Sequence, residues 1–125
     1  MYHKISDMSM GYKPADCFLM NHQGTFMFEL KVSKNIRSLT ITSMLQGIQF
    51  DSLKACHNPA VNNYAFAVIR LDKIKKSNRA VILLIPFEEE LFTTKQNIED
   101  LIEKYSVPYI YDYLHRTYRL NIFNK

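Results

Sequence analysis

The chain is expected to fold as an α/β domain built on a mixed β-sheet flanked by helices, and three features of the sequence predict it. Two segments of alternating side chains surround the turn-forming residues Asn21 and Gly24, the pattern of a β-hairpin. A segment of helical period follows. It makes the connection from the hairpin to the next strand roughly thirty residues long, enough for a crossover to a parallel neighbour. Two continuous apolar runs of strand length, residues 64–70 and 80–85, then read as strands covered on both faces.

Each element has its own signal. Residues 2–8 alternate weakly, 15–20 and 25–33 form the hairpin, and 35–42 read as a polar connection. Ser43 followed by Gln46 matches a capping box, with Leu45, Ile48 and Ala55 along one side of a helix ending near Cys56. Asn58, Pro59, Asn62 and Asn63 stop it. Ile98, Leu101, Ile102 and Tyr105 fall at i, i+3, i+4 and i+7, the apolar stripe of an amphipathic helix. Ile110, Tyr113 and Leu114 predict one more short helical turn before a polar tail.

Composition narrows the function classes. The 125 residues suit one domain, residues 1–125, and an apolar content of 47% argues against disorder. No apolar run approaches the roughly 20 residues of a membrane span, and the first residues lack the pattern of a signal peptide, so an intracellular, cytoplasmic protein is expected. Cys17 and Cys56 have no metal-site spacing and are read as reduced. Three glycines leave no phosphate-cradling loop, and His3, His22 and His57 read as surface histidines. Sixteen basic against twelve acidic residues give a net charge of +4, in keeping with a polyanionic partner.

The chemistry sits in the hairpin. Glu29 and Lys31 project from one face of their strand while Phe28, Leu30 and Val32 project from the other. A two- or four-residue loop within residues 21–24 puts Asp16 opposite Glu29, and directly opposed side chains lie about 5 Å apart at Cβ. Two carboxylates so close repel unless a cation lies between them, and hard oxygen donors suit Mg2+, with Mn2+ as a substitute. A plainer reading makes Asp16 a turn residue and Glu29 with Lys31 a solvated same-face ion pair.

Asp16, then Glu29-Leu30-Lys31, then Gln49 on the following helix resembles the PD-(D/E)XK nuclease superfamily. Within it, the likeness is greatest to RecU-type Holliday junction resolvases. The likeness continues through the 64–70 strand, Leu83-Leu84-Ile85-Pro86-Phe87 and Asp112-Tyr113-Leu114, in the family's order. The resemblance implies a restriction-endonuclease-like fold, here without the usual N-terminal helix, because only fifteen residues precede Asp16. It implies a Mg2+-dependent endonuclease that resolves four-way DNA junctions as a homodimer. A general or restriction-type DNase of the same fold, or a noncatalytic DNA-binding module, are the alternatives. So compact a nuclease would suit a phage genome.

In the roles the resemblance implies, Asp16, Glu29 and the Leu30 carbonyl hold the metal. Lys31 orients water and offsets phosphoryl charge, and Gln49 positions water or phosphate. Lys34 and Arg37 follow the catalytic strand and are expected at the DNA backbone. Lys73, Lys75, Lys76 and Arg79 lie between two strands, as a further DNA contact or as a solvated hairpin tip. His115, Arg116 and Arg119 form a basic tail with Tyr118 among them, and Tyr109, Tyr111, Tyr113 and Tyr118 either pack or join it.

Overall fold

Alternation in the hairpin and continuous apolarity in the later runs lead to one four-stranded mixed sheet. The structure is a computed structural model and describes residues 2–5, 17–74 and 79–121. In chain order the strands are β1 (Tyr2–Ile5), β2 (Cys17–Asn21), β3 (Gly24–Ser33), β4 (Ser38–Leu39), β5 (Asn63–Leu71), β6 (Val81–Pro86), β7 (Gln96–Asn97), β8 (Tyr109–Asp112) and β9 (Thr117–Asn121). The helices are α1 (Gly47–Cys56), α2 (Glu89–Thr93) and α3 (Ile98–Tyr105). The main sheet runs β2-β3-β5-β6. β3 is antiparallel to β2 and parallel to β5, and β6 returns antiparallel. The class is mixed α/β, as expected, with α1 in the crossover between the two parallel strands.

Odd and even positions separate cleanly across this sheet. Met27, Ala65, Ala67, Ile69, Leu71, Leu83 and Ile85 face a core shared with Leu53 of α1, Phe92 of α2, and Ile98 and Leu101 of α3. Phe26, Phe28, Val68 and Ile82 face the other way, toward Leu120, Tyr109 and Tyr118. Fully burying one such side chain stabilises the fold by roughly 1.5 to 3 kcal/mol. Helices therefore cover one face. A small antiparallel sheet, β1-β9-β8, covers the other.

That second sheet replaces the expected helical turn and polar tail. Tyr109–Asp112 pairs with Thr117–Asn121, and β9 also pairs with Tyr2–Ile5. Two other local expectations shift. The capping box starts at Gln46, whose side chain accepts from the Gln49 backbone N–H while Gln49 Oε1 accepts from the Gln46 backbone N–H at 2.9 Å. Residues 41–44 form a separate 3-10 turn, and the polar connection contains β4, which pairs with β7. Leu53 is the buried residue of α1, whereas Ile48 is 47% exposed and Ala55 is exposed. In α3 the predicted stripe holds, with Ile98 and Leu101 buried and the Asn97 side chain accepting from the Asp100 N–H.

His57 corrects the reading of surface histidines. Its Nδ1 accepts the Ala65 backbone N–H at 2.9 Å, tying the end of α1 to the start of β5, and its ring lies near Tyr64 and Phe87. An imidazole that accepts at Nδ1 must be neutral there. Burial holds His57 below its ordinary value of 6.5. The unfolded chain therefore takes up this proton first. The stability that His57 contributes is complete above about pH 6.5 and is lost as pH falls through the lower native value. The thermal midpoint should drop between about pH 7 and pH 5 in the wild type, and the drop should shrink in His57→Phe. Equal pH profiles for the two proteins would contradict this account.

Cys17 and Cys56 form no disulfide with one another. Burial pushes the Cys56 thiol up, away from the reactive thiolate. Among the described residues no helix is long and apolar enough to cross a membrane.

Candidate active site

The turn that controls the site is the two-residue one. Asn21 pairs with Gly24, and the Asn21 side chain accepts the Gln23 N–H at 2.7 Å. The pairs that follow, ending at Cys17↔Phe28, have the register that the expected Asp16–Glu29 opposition requires. Asp16 itself lies outside the described residues. Gly24 is fixed by position as well as by turn chemistry. Its φ is +143°, and a Cβ there would stand 2.2 Å from the Asn62 carbonyl oxygen. That same carbonyl accepts the Thr25 N–H at 2.9 Å, which ties the hairpin to the left-handed Asn62 at the end of the α1 connection.

Glu29 sits near the middle of β3, hydrogen-bonded into the sheet between β2 and β5. It is only 1% exposed, on the helix-covered face, opposite Ala67. Its neighbours on this face of β5, Ala65 and Ala67, are small and fully buried. Lys31 is the next residue on this face, with Nζ 4.0 Å from Glu29 Oε1, and its side chain is 23% exposed. Burying a carboxylate costs several kcal/mol, and a lysine at 4 Å offsets part of it. Strongly desolvated acids beside a specific charge partner are concentrated at functional sites. The even-numbered neighbours Phe28 and Leu30 face the other core, as the alternation predicts.

Gln49 lies in the first turn of α1. α1 packs on β5 and β3, and the His57 that follows it is bonded to the start of β5. In the capping box the Gln49 side chain accepts through Oε1, and its amide nitrogen takes no part in the cap.

The basic residues gather at one end of the main sheet. Lys34 follows β3 and Lys73 follows β5, both exposed, and exposed Arg79 precedes β6. Arg37 is exposed next to β4, and its carbonyl accepts the Ile98 N–H. Lys75 and Lys76 lie outside the described residues. The C-terminal residues read as a basic tail are instead organised by Asp112. Its Oδ2 accepts from His115 Nδ1 at 2.7 Å and from Arg119 at 3.0 Å, while Oδ1 accepts the Leu114 and His115 N–H groups. The His115 hydrogen bond, with Arg119 second, holds this carboxyl well below the usual range.

Sequence reasoning missed the surroundings of Arg70. Its guanidinium pairs with Asp72 at 2.7 Å and lies 5.5 Å from the Tyr118 ring centre. The two border a cleft of about 190 Å3 with Leu30, Val32 and Leu120 on the face opposite Glu29. The available signal was an arginine at an even position in an otherwise apolar strand.

Among the described residues no three His, Cys, Asp or Glu side chains converge on a point. The described part of the site offers one carboxylate, Glu29, and backbone carbonyl oxygen, donors of the hard type that suits Mg2+. The second acid that the sequence predicts for this face, Asp16, lies outside the described residues.

No family model matches this chain, and no curated protein matches it. Among solved structures, the fold is similar to Hjc, a Holliday junction resolvase from the archaeal hyperthermophile Archaeoglobus fulgidus. The identity is 14%, the match covers 81% of this chain and 86% of that one, and the TM-score is 0.36.

Proposed function

We propose that this chain is a Mg2+-dependent endonuclease that resolves four-way DNA junctions as a homodimer. One observation carries the reaction class: an acid buried to 1% exposure in the middle of a central strand, with a lysine two residues on along the same face. A fold that needed only an ion pair here would leave both groups at the surface, where pairing costs little. The RecU-like sequence pattern supports the finer choice of a branched substrate. The net charge of +4 and the basic residues at the sheet end suit a phosphate backbone.

In this reading Asp16, Glu29 and the Leu30 carbonyl would hold the cation. The chemistry supplied by bound Mg2+, or Mn2+ in its place, is polarisation of the scissile phosphate and a lowered pKa for water. Lys31 lies beside the carboxylate and offsets negative charge as it grows on the phosphoryl oxygens. Gln49 uses the amide nitrogen left by the cap to orient water or phosphate. Water attack in line would leave a 3' hydroxyl and a 5' phosphate. Two matched cuts need two equivalent sites, which a twofold dimer provides.

Lys31→Ala should lose about a hundredfold or more in single-turnover cleavage if it stabilises transition-state charge. Wild-type turnover in that variant would reduce Lys31 to an ion-pair partner. Substrate choice is tested by offering labelled four-way junction in excess linear competitor. The expected result is paired symmetric nicks in the junction. Equal cutting of junction and linear duplex would leave a general nuclease.

A further inference from the structure

We infer that Arg79 and the tyrosines of the β8–β9 hairpin form a slot for an unpaired nucleobase of a single-stranded nucleic-acid segment. Tyr109, Tyr111 and Tyr113 recur every second residue, and Tyr118 pairs with Tyr111 across the hairpin. Their rings meet edge-on or tilted, at 5.3 Å for Tyr109 and Tyr118, 4.8 Å for Tyr111 and Tyr118, and 4.7 Å for Tyr111 and Tyr113. With Arg79 and Ala80 they line a cleft of about 190 Å3. The Arg79 guanidinium lies 4.8 Å from the Tyr109 ring centre.

Tyr109 and Tyr118 anchor the cluster in the second core, whereas its tip is built for presentation. Tyr113 is 84% exposed and Leu114 85%, so the tip gains little from burial. Yet the tip is held in one shape. Asp112 accepts two backbone N–H groups of the turn together with His115 and Arg119, and Arg116 takes the left-handed conformation at φ +53°. Tyr109 is fixed at its far end by a hydrogen bond from its hydroxyl to the Ala80 carbonyl.

The chemistry of the walls selects the ligand. Aromatic cages without a resident cation take ammonium groups, but here the Arg79 guanidinium already lies against the rings and repels one. A neutral planar ring carrying a phosphate suits both walls: tyrosine faces stack on the base, and arginine meets ring and phosphate. Arg70, Arg79, Arg116 and Arg119 surround the hairpin with Asp72 and Asp112 between them, which leaves a positive surplus. Duplex bases hide their faces in the stack, so the slot accepts bases of single strands. The source named here, DNA, rests on the proposed function; the slot itself does not.

The test is binding without chemistry. The chain has eight tyrosines and no tryptophan, so stacked bases report directly by quenching tyrosine emission. Short oligo-dT titrated in EDTA should quench wild-type fluorescence saturably. Tyr113→Leu should weaken binding on the order of tenfold or more, while Tyr113→Phe, which keeps the ring, should bind as wild type. Blunt duplex should bind equally to all three. Because Tyr113 is largely exposed, the leucine variant should keep the wild-type melting temperature. Wild-type oligo-dT affinity in Tyr113→Leu, or an equal loss for duplex and single strand, would overturn the slot. Neither result depends on metal or cleavage, so failure here is distinct from failure of the nuclease reading.

Discussion

Replacing Glu29 by glutamine should cut the rate of DNA cleavage on the order of a thousandfold while leaving the protein at or above its wild-type thermal midpoint. The two effects have opposite causes. Glutamine keeps the shape of the side chain but removes the charge needed to hold a hard cation, a loss of several kcal/mol of transition-state stabilisation. The same change removes a buried carboxylate, and the neutral amide is cheaper to bury. Lys31 is 23% exposed and can turn to water when its partner is neutral. DNA binding should hold, since less negative charge then faces the phosphates. If the pair were structural, the outcome would reverse, with a lower melting temperature in Glu29→Gln and no catalytic change beyond it.

Gly24→Ala should destabilise the protein by about 3 kcal/mol, lowering the melting temperature by roughly 10 °C. At φ +143° a side chain is strained whatever the space, and here the new Cβ would meet a backbone oxygen at 2.2 Å. That oxygen belongs to Asn62, held in place by the Thr25 N–H, so the strand start and the turn must separate. Cleavage should fall as well, because this turn fixes the register on which Glu29 depends. A melting temperature within about 2 °C of wild type would show that the turn relaxes and that the contact does not constrain the hairpin.

The hairpin, the crossover and α3 were legible because each has a local cause. Asn21 and Gly24 demand a tight turn, the period changes from two to helical after it, and Ile98 to Tyr105 follow one stripe. The C-terminal hairpin was not legible for an equally physical reason. Ile110, Tyr113 and Leu114 satisfy helical spacing by coincidence, and what decides against it is tertiary: Leu120 buried to 1% and Tyr109 and Tyr118 packed on the even face of the main sheet. The capping box moved three residues because Gln46, which lacks the Ser or Thr that the pattern calls for, itself takes the N-cap place and bonds reciprocally with Gln49. For the site, alternation sufficed to put Glu29 and Lys31 on one face. That this face is covered by helices, and Glu29 buried, follows from packing that no local pattern encodes.

The central claim is that Glu29 belongs to a metal-dependent phosphodiester-cleaving site. Its most direct test is a single reaction series in which wild type and Glu29→Gln, prepared alike, meet labelled four-way junction with Mg2+ and with EDTA. The account predicts nicks with 5' phosphate ends from the wild type in Mg2+ alone. Cleavage that persists in Glu29→Gln, or a wild type that binds the junction and never cuts it with Mg2+ or Mn2+, would contradict it.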